Sequence, residues 1–239
     1  YKNVDIETYF FKEDAHLADA YLAHTKKYLA MYEKMLTAFP YRRFAIVENI
    51  LPTGNSMPTF TLLGNQVVRL PFIVKTSLGH EILHQWFGNF VYIDFVSGNW
   101  AEGLTTYLSD HYYAALDGKD AAYRKQILVN YNAYINSDNA MPLSDFTSRN
   151  NKAQSVIGYG KGAMLFHGLH RRYGDETFYA ALKEFVRQKR FNRASWLDIQ
   201  HVFERATGEK LYSYFGDWLT RKTIPRLDVK NSELYVAEG

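Results

Sequence analysis

Apolar residues recur at helical spacing along most of this chain, and its first third also contains short runs typical of strands. Residues 15–39 follow the three-to-four-residue period of an amphipathic helix. The runs 4–11, 44–50, 60–63 and 67–70 are rich in β-branched and aromatic residues, and most of them are bounded by Gly or Pro. The first third is therefore predicted to mix one long helix with several short strands.

From residue 76 onward the helical period dominates. Beyond the helix that begins there, the pattern predicts helices over 100–111, 121–136, 153–173, 175–189, 195–206 and 211–221. Ser195 and Asp198 have the spacing of a capping box, and Gly174 and Gly208 are natural helix ends. We therefore expect an α+β fold, in which a small sheet-bearing lobe (1–75) packs on a larger helical lobe (76–239) within one domain.

Composition excludes several classes of protein. The 239 residues are 47% hydrophobic, as in an ordinary globular protein, and the net charge of +3 is too small to indicate nucleic-acid binding. The absence of Cys excludes disulfides and thiolate metal ligands. No apolar run approaches the roughly 18 residues that span a bilayer. The chain begins with Tyr1 and has no signal peptide, so we expect a piece of a longer protein.

One short motif indicates metal chemistry. The run His80–His84 reads His-Glu-Ile-Leu-His, and residues four apart lie on the same face of a helix. The two imidazoles can therefore hold one zinc ion, with Glu102 as third ligand and a fourth position left for water. Glu81 points away from its neighbours' face but can reach that water, which suits a general base.

The flanks of the motif favour a half-buried helix. Thr76 and Ser77 offer hydroxyls for its amino-terminal cap, and Leu78, Ile82 and Leu83 form an apolar stripe. Two simpler interpretations stay open at this point. The histidines can be ordinary hydrogen-bonded side chains, and a glutamate in the first turn of a helix complements the helix dipole without binding metal.

Three runs together resemble a known family. Residues 80–89 read His-Glu-Ile-Leu-His-Gln-Trp-Phe-Gly-Asn, residues 100–107 read Trp-Ala-Glu-Gly-Leu-Thr-Thr-Tyr, and residues 159–163 read Tyr-Gly-Lys-Gly-Ala. They resemble the zinc aminopeptidases that include aminopeptidase N and leukotriene hydrolase, and the resemblance extends over residues 39–221. It implies a thermolysin-like catalytic domain of the gluzincin type with one zinc ion, a peptide substrate and flanking domains.

The resemblance also assigns a second catalytic side chain. It implies that Tyr159 donates a hydrogen bond to the oxyanion that forms when water attacks a peptide carbonyl. Without the resemblance, Tyr159 is simply one tyrosine among nineteen. Residues 225–229 resemble the start of a following β module.

The chain departs from the family at the substrate's amino-terminal anchor. Family members carry a Gly-Ala-Met-Glu-Asn strand whose glutamate holds the free α-amino group, whereas residues 54–59 here read Gly-Asn-Ser-Met-Pro-Thr. Pro58 stands in place of that glutamate and lacks a backbone N–H. We expect Gly54 and Met57 to contact the substrate along this strand. Glu48 either replaces the missing anchor or lies exposed at the end of its strand.

The sequence thus predicts a zinc metallopeptidase that hydrolyses peptide bonds through a metal-activated water. It is related to aminopeptidases but has altered amino-terminal anchoring, so exopeptidase and endopeptidase specificity both stay open. A peptide-binding zinc module without turnover and a hydrolase of non-peptide substrates are the alternatives. The other histidines, including His111, His167 and His170, fit structural roles.

Overall fold

The computed structural model describes residues 1–51 and 54–223, and it confirms the predicted α+β class. The region expected to lead into a β module, 225–229, lies outside the described residues. The strands are β1 (Asp5–Tyr9), β2 (Arg43–Asn49), β3 (Gly54–Met57), β4 (Phe60–Gly64), β5 (Tyr92–Ile93) and β6 (Arg193–Ala194).

Helices make up most of the remaining described chain. They are α1 (Ala18–Met35), α2 (Asn65–Val68), α3 (Ser77–Leu83), α4 (Ala101–Thr106), α5 (Tyr112–Leu116), α6 (Asp120–Tyr134), α7 (Lys152–Ser155), α8 (Gly162–Lys189), α9 (Trp196–Thr207) and α10 (Tyr212–Thr220). Two wider π-helical turns, Tyr107–His111 and Val156–Lys161, join α4 to α5 and α7 to α8. None of the helices in the described ranges is both long enough and apolar enough to cross a bilayer.

The first four strands form one sheet in the order β1-β2-β4-β3. Strands β1, β2 and β4 run parallel, and β3 returns antiparallel to β4 through the turn at Pro58 and Thr59. Phe44, Ala45 and Ile46 of β2 are buried, as expected for a strand inside a sheet. The antiparallel strand β3 therefore lies at the edge of the sheet, next to the helical part of the chain.

Two predictions about local structure were wrong. The run 67–70 is not a strand, because Val67 and Val68 belong to the short helix α2, which directly follows β4. The apolar side chain of Val68 is buried there, so packing overrides the β preference of valine. Thr76 does not cap α3 either. Its hydroxyl donates instead to the carbonyl of Phe72, one turn earlier in the chain.

Other sequence signals are confirmed. Ser195 caps α9 in a complete capping box with Asp198, and Gly208 ends the same helix with φ at 71°. Gly174 interrupts α8 with φ at 74°. The long helix of the first third begins at Ala18 rather than residue 15, because a 3-10 turn, Lys12–Leu17, precedes it.

One hydrophobic core extends through both the sheet and the helices. Tyr32 of α1 donates its hydroxyl to the carbonyl of Gly79 in α3 at 2.9 Å, and Trp86 packs edge-on against the Tyr32 ring. A Cβ at Gly79 would lie 2.0 Å from the hydroxyl of Tyr113. Gly79 thus lets the α3 backbone lie directly against this tyrosine cluster, which fixes α3 within the core.

The buried His111 lies in the π turn that follows α4, and its ring is 5.5 Å from the ring of His167. The His111 ring nitrogen Nε2 accepts a hydrogen bond from Arg124 at 2.9 Å and so carries no proton. Burial, together with the nearby Arg124 charge, lowers the pKa of His111 to about 4. Burial and Arg124 likewise lower the pKa of His167 to about 4. Both imidazoles are neutral in the folded protein near neutral pH.

The low pKa values of His111 and His167 predict that the folded protein loses stability in acid. Below a pH of about 6.5 the imidazoles of His111 and His167 become protonated in the unfolded chain but stay neutral in the folded chain. The free energy of unfolding should therefore fall as pH decreases from about 6.5 toward 4. His111→Gln keeps an acceptor for Arg124 but does not titrate. It should reduce this slope by about 1 kcal/mol per pH unit in urea unfolding measured across that range.

The matched control is His201→Gln, because the side chain of His201 on α9 is exposed to solvent. This control should leave the slope of stability against pH as it is in the unmodified protein. An unchanged slope in His111→Gln would contradict the assignment of acid lability to His111.

Candidate metal centre

Helix α3 carries the two motif histidines. His80 lies within the helix, and His84 continues its right-handed geometry at the carboxyl end, where its N–H donates to the His80 carbonyl. The two imidazole centroids are 5.0 Å apart. Leu78 and Ile82 are fully buried on the opposite side of the helix. The apolar stripe predicted from the sequence therefore holds both imidazoles toward one side.

Glu102, in the first turn of α4, faces both histidines. Its Oε2 atom is 3.5 Å from His80 Nε2 and 3.4 Å from His84 Nε2. The three ligand atoms all lie within 4.8 Å of one another. Glu102 Oε2 is buried and accepts no hydrogen bond in the described structure. A buried carboxylate oxygen without a donor, close to two imidazole nitrogens, has the donor set that zinc prefers.

Electrostatics at the centre favour a cation. Burial alone would raise the pKa of Glu102, but His84 and His80 outweigh burial and hold that pKa far below its usual range. Burial alone would lower the pKa of His80, yet Asp110 and Glu102 raise it overall. The arrangement thus stabilises positive charge between these side chains. One divalent cation fits this demand.

The other nitrogen of each imidazole is engaged by the protein. His80 Nδ1 is 2.9 Å from Asp110 Oδ2, and His84 Nδ1 is 2.9 Å from the carbonyl of Phe87. If each Nδ1 carries the proton, each Nε2 is left as an acceptor that faces Glu102. Such partners fix the tautomer and orientation of metal-binding histidines.

Asp110 was not identified from the sequence, and a π turn explains why. Asp110 lies eight positions after Glu102, where a regular α-helix would place it about 80° around the axis. The Tyr107–His111 π turn, which includes Asp110, changes that angle. The sequence does show an acidic residue eight positions after Glu102. However, the π turn that directs Asp110 to His80 has no simple sequence signature.

Glu81 lines the same cavity, which has a volume of about 710 Å³. Its backbone carbonyl accepts a hydrogen bond from the hydroxyl of Ser56 in β3 at 2.9 Å. A Cβ at Gly54 would lie 3.3 Å from Glu81 Oε1, a tight contact. A glycine at position 54 therefore lets the edge strand approach the Glu81 carboxylate closely.

A buried amide fixes the edge strand to the end of the metal helix. Gln85 Nε2 donates to the carbonyl of Met57 and to the hydroxyl of Ser56, and Gln85 Oε1 accepts from the N–H of Thr59. Asn89 also donates to the Ser56 hydroxyl. In the sequence, Gln85 and Asn89 stand out only as parts of the motif. In the structure they hold β3 in place beside the cavity.

Tyr159 lies on the second π turn and also lines the cavity. Its ring is nearly parallel to the His80 imidazole, at 6.2 Å between centroids and 14° between planes. Burial, with the Glu102 charge as a second cause, raises the pKa of the Tyr159 phenol well above its usual value. The phenol therefore keeps its proton at neutral pH and remains a hydrogen-bond donor.

Glycines bring the Glu102 and Tyr159 segments together. A Cβ at Gly103 would lie 2.7 Å from the Cα of Gly162, and one at Gly162 would lie 2.9 Å from the Cα of Gly103. Helices α4 and α8 thus touch through their backbones, which any side chain at either position would prevent. This contact places Glu102, the residue before Gly103, beside the π turn that carries Tyr159.

Of the three predicted substrate residues, only Gly54 lines the cavity. Glu48 is 5% exposed, and its Oε2 accepts from the N–H of Phe11, so the expectation of a solvent-exposed glutamate was wrong. Glu48 and Met57 do not line the cavity, whereas Gly54 does. Pro58 occupies the exposed β3–β4 turn and is likewise outside the cavity wall.

Two aminopeptidases are similar to this chain in sequence. The chain is 26% identical over 164 residues to the alanine/arginine aminopeptidase of Saccharomyces cerevisiae, covering 66% of this chain and 19% of that protein. It is 24% identical over 225 residues to aminopeptidase M1-D of Oryza sativa subsp. japonica, covering 85% of this chain and 25% of the relative. The chain thus spans about a fifth to a quarter of the length of these relatives.

Solved structures share the fold. The M1 zinc metallopeptidase of Deinococcus radiodurans superimposes with a TM-score of 0.66 at 20% identity, covering 85% of this chain and 45% of that one. Native yeast LTA4 hydrolase gives a TM-score of 0.69 at 14% identity, covering 96% and 39% of the two chains. Residues 71–218, which include the two histidines, Glu102 and Tyr159, match the Peptidase family M1 domain. The chain therefore belongs to peptidase family M1.

Proposed function

We propose that this chain is the catalytic domain of a zinc-dependent, aminopeptidase-related peptidase. The observation that carries the proposal is the convergence of His80, His84 and Glu102, whose ligand atoms lie within 4.8 Å of one another. A buried carboxylate oxygen without a hydrogen-bond donor is costly unless a cation binds there. The names of relatives in family M1, which include aminopeptidases, support the same function.

His80, His84 and Glu102 would hold the zinc ion. Bound there, zinc polarises a scissile carbonyl and lowers the pKa of water toward about 7. In this proposal Asp110 fixes the orientation of the His80 ring through the hydrogen bond to Nδ1, the ring nitrogen that does not face the metal site.

Two further side chains act on the substrate. Glu81 takes a proton from the attacking water and passes it to the leaving amine nitrogen. Tyr159 donates its phenolic proton in a hydrogen bond to the carbonyl oxygen as negative charge builds on it. The raised pKa of Tyr159 supports this role, because a protonated phenol is required.

The substrate is expected to lie in the cavity that β3 and α3 line together. Strand β3 is the edge strand of its sheet, and Ser56 links it to the backbone of Glu81. A peptide in extended conformation can therefore run along β3 with its scissile bond above the metal centre. Flanking domains are part of the proposal, since the relatives are several times longer than this chain.

Replacing the proposed base should separate chemistry from metal binding. Glu81→Gln is expected to lower kcat by a factor of about 10² to 10⁴ while retaining one zinc per chain, because it removes a base and no ligand. Peptide cleavage followed by mass spectrometry gives the rate, and elemental analysis gives the zinc content. Glu176→Gln, on the exposed face of α8, is the matched control and should change neither quantity. Turnover at the normal rate by zinc-loaded Glu81→Gln would contradict the assignment.

Acetylation of the substrate tests the amino-terminal anchor. In the described part of the chain the carboxylates lining the cavity are Glu81, Glu102 and Asp110, and our proposal gives each of them another task. The free α-ammonium group of a peptide therefore has no carboxylate in the cavity dedicated to binding it. Acetylating that group should change kcat/KM by less than about tenfold. Mass spectrometry of a matched pair of peptides, free and acetylated, measures the ratio. Stepwise removal of single residues from the free peptide alone would contradict this prediction.

A further inference from the structure

Arg149 is a cationic side chain on the cavity wall that the proposed reaction does not use. Thr147, Ser148 and Arg149 line the cavity in succession, just before α7. Arg149 is the only lysine or arginine among the described residues that line this cavity. The other charged groups there, apart from the histidines, are carboxylates. Arg149 is thus the cavity's available partner for a negatively charged group.

The backbone that carries Arg149 is held in place on both sides. On one side, the Asn99 N–H donates to the carbonyl of Phe146 at 2.6 Å, and Asn99 Nδ2 donates to the carbonyl of Thr147 at 3.0 Å. On the other side, the Asn151 side chain caps α7 by accepting from the N–H of Gln154. Although the Arg149 side chain is exposed, its attachment point is therefore fixed.

The same asparagine connects this loop to the metal centre. Asn99 Oδ1 accepts a hydrogen bond from the N–H of Ala101 at 3.0 Å, and the N–H of Glu102 lies 3.4 Å from it. The Arg149 loop and the first turn of the Glu102 helix thus share one anchor. Their relative position is set by direct hydrogen bonds.

The guanidinium lies close to the reacting groups. Its central carbon is 5.1 Å from the centroid of the Tyr159 ring, which in turn stacks on His80 at 6.2 Å. Contact with an aromatic ring restrains a guanidinium without occupying its five N–H donors. Among the described residues Arg149 forms no ion pair. Its donors are therefore available to a ligand in the cavity.

We propose that Arg149 binds a carboxylate of the peptide substrate and so gives the site a preference for peptides with negative charge close to the scissile bond. The inference rests on the proposed peptidase function. A planar guanidinium matches a carboxylate through two parallel hydrogen bonds. A carboxylate elsewhere in the cavity would meet the like charges of Glu81 and Asp110.

Two sources can supply such a carboxylate. An extended peptide advances about 3.3 to 3.6 Å per residue, so the guanidinium lies within a few residues of a bond held at the metal centre. Both the carboxy-terminus of a short peptide and the side chain of a nearby Asp or Glu fall within this reach. The chemistry recognised is the same in both cases.

Binding measurements on the zinc-loaded Glu81→Gln protein test the proposal without relying on turnover. Isothermal titration would use four peptides: tetra-alanine as the free acid, tetra-alanine as the amide, and the amides of Ala-Ala-Glu-Ala and Ala-Ala-Gln-Ala. The acid should bind at least about tenfold more tightly than its amide, or the Glu peptide than the Gln peptide. The pair that shows the difference identifies the source of the carboxylate.

Variants at position 149 then assign the preference to this side chain. In Arg149→Ala the two peptides of the discriminating pair should bind with affinities that differ by less than about twofold. Arg149→Lys should keep part of the difference, since lysine retains the positive charge but not the planar guanidinium that forms two parallel hydrogen bonds. Lys152→Ala is the matched control. Its ammonium lies near the Tyr134 ring and does not line the cavity, so the full ratio should remain.

Two results would overturn the inference: equal affinities within both peptide pairs, or a preference that persists in Arg149→Ala while its thermal unfolding stays normal. Failure of the proposed function looks different. In that case the unmodified zinc-loaded protein cleaves none of the four peptides, while the affinity ratios still report on Arg149.

Discussion

The site depends on one interaction: a glutamate carboxylate held between two imidazoles that come from a different helix. Glu102 Oε2 lies 3.5 Å and 3.4 Å from the two Nε2 atoms and has no other hydrogen-bond partner among the described residues. Such a buried carboxylate is stable only beside positive charge. Helices α3 and α4 must therefore be held at a fixed separation. Much of the surrounding structure contributes to holding them there.

Close backbone contacts provide that separation. Gly79 brings α3 against the tyrosines of α1 and α5, and the Gly103–Gly162 contact brings α4 against α8. The side chains of Gln85 and Asn89 add a third constraint by fixing β3 to the carboxyl end of α3. Each contact positions a different part of the cavity wall. The reactive groups are thus placed by buried packing and hydrogen bonds rather than by mobile loops.

The sequence predicted those parts of the fold that are determined locally. The period of apolar residues located α3 and α9, and the Ser195 capping box and Gly208 marked both ends of α9. The i and i+4 spacing was sufficient to bring His80 and His84 together. The placement of Glu102 opposite them followed from its position in the first turn of the next predicted helix and from the family resemblance.

The features that were missed arise from tertiary structure. Asp110 reaches His80 by way of a π turn, and Val67 and Val68 take helical geometry because Val68 packs into the core. Glu48 is buried next to Phe11, a contact between residues 37 positions apart that no local pattern reveals. Arg149 reaches the cavity through a loop held by Asn99. In each case the determining contact joins residues that are distant in the sequence.

The most direct test of the central claim is the X-ray absorption fine structure of the zinc-loaded protein at the zinc edge. The account predicts nitrogen and oxygen neighbours at about 2.0 to 2.2 Å, with scattering from two imidazole rings. His84→Ala should remove the scattering of one ring. A spectrum with two imidazoles that is unchanged by His84→Ala would place the ion at other histidines and contradict the account.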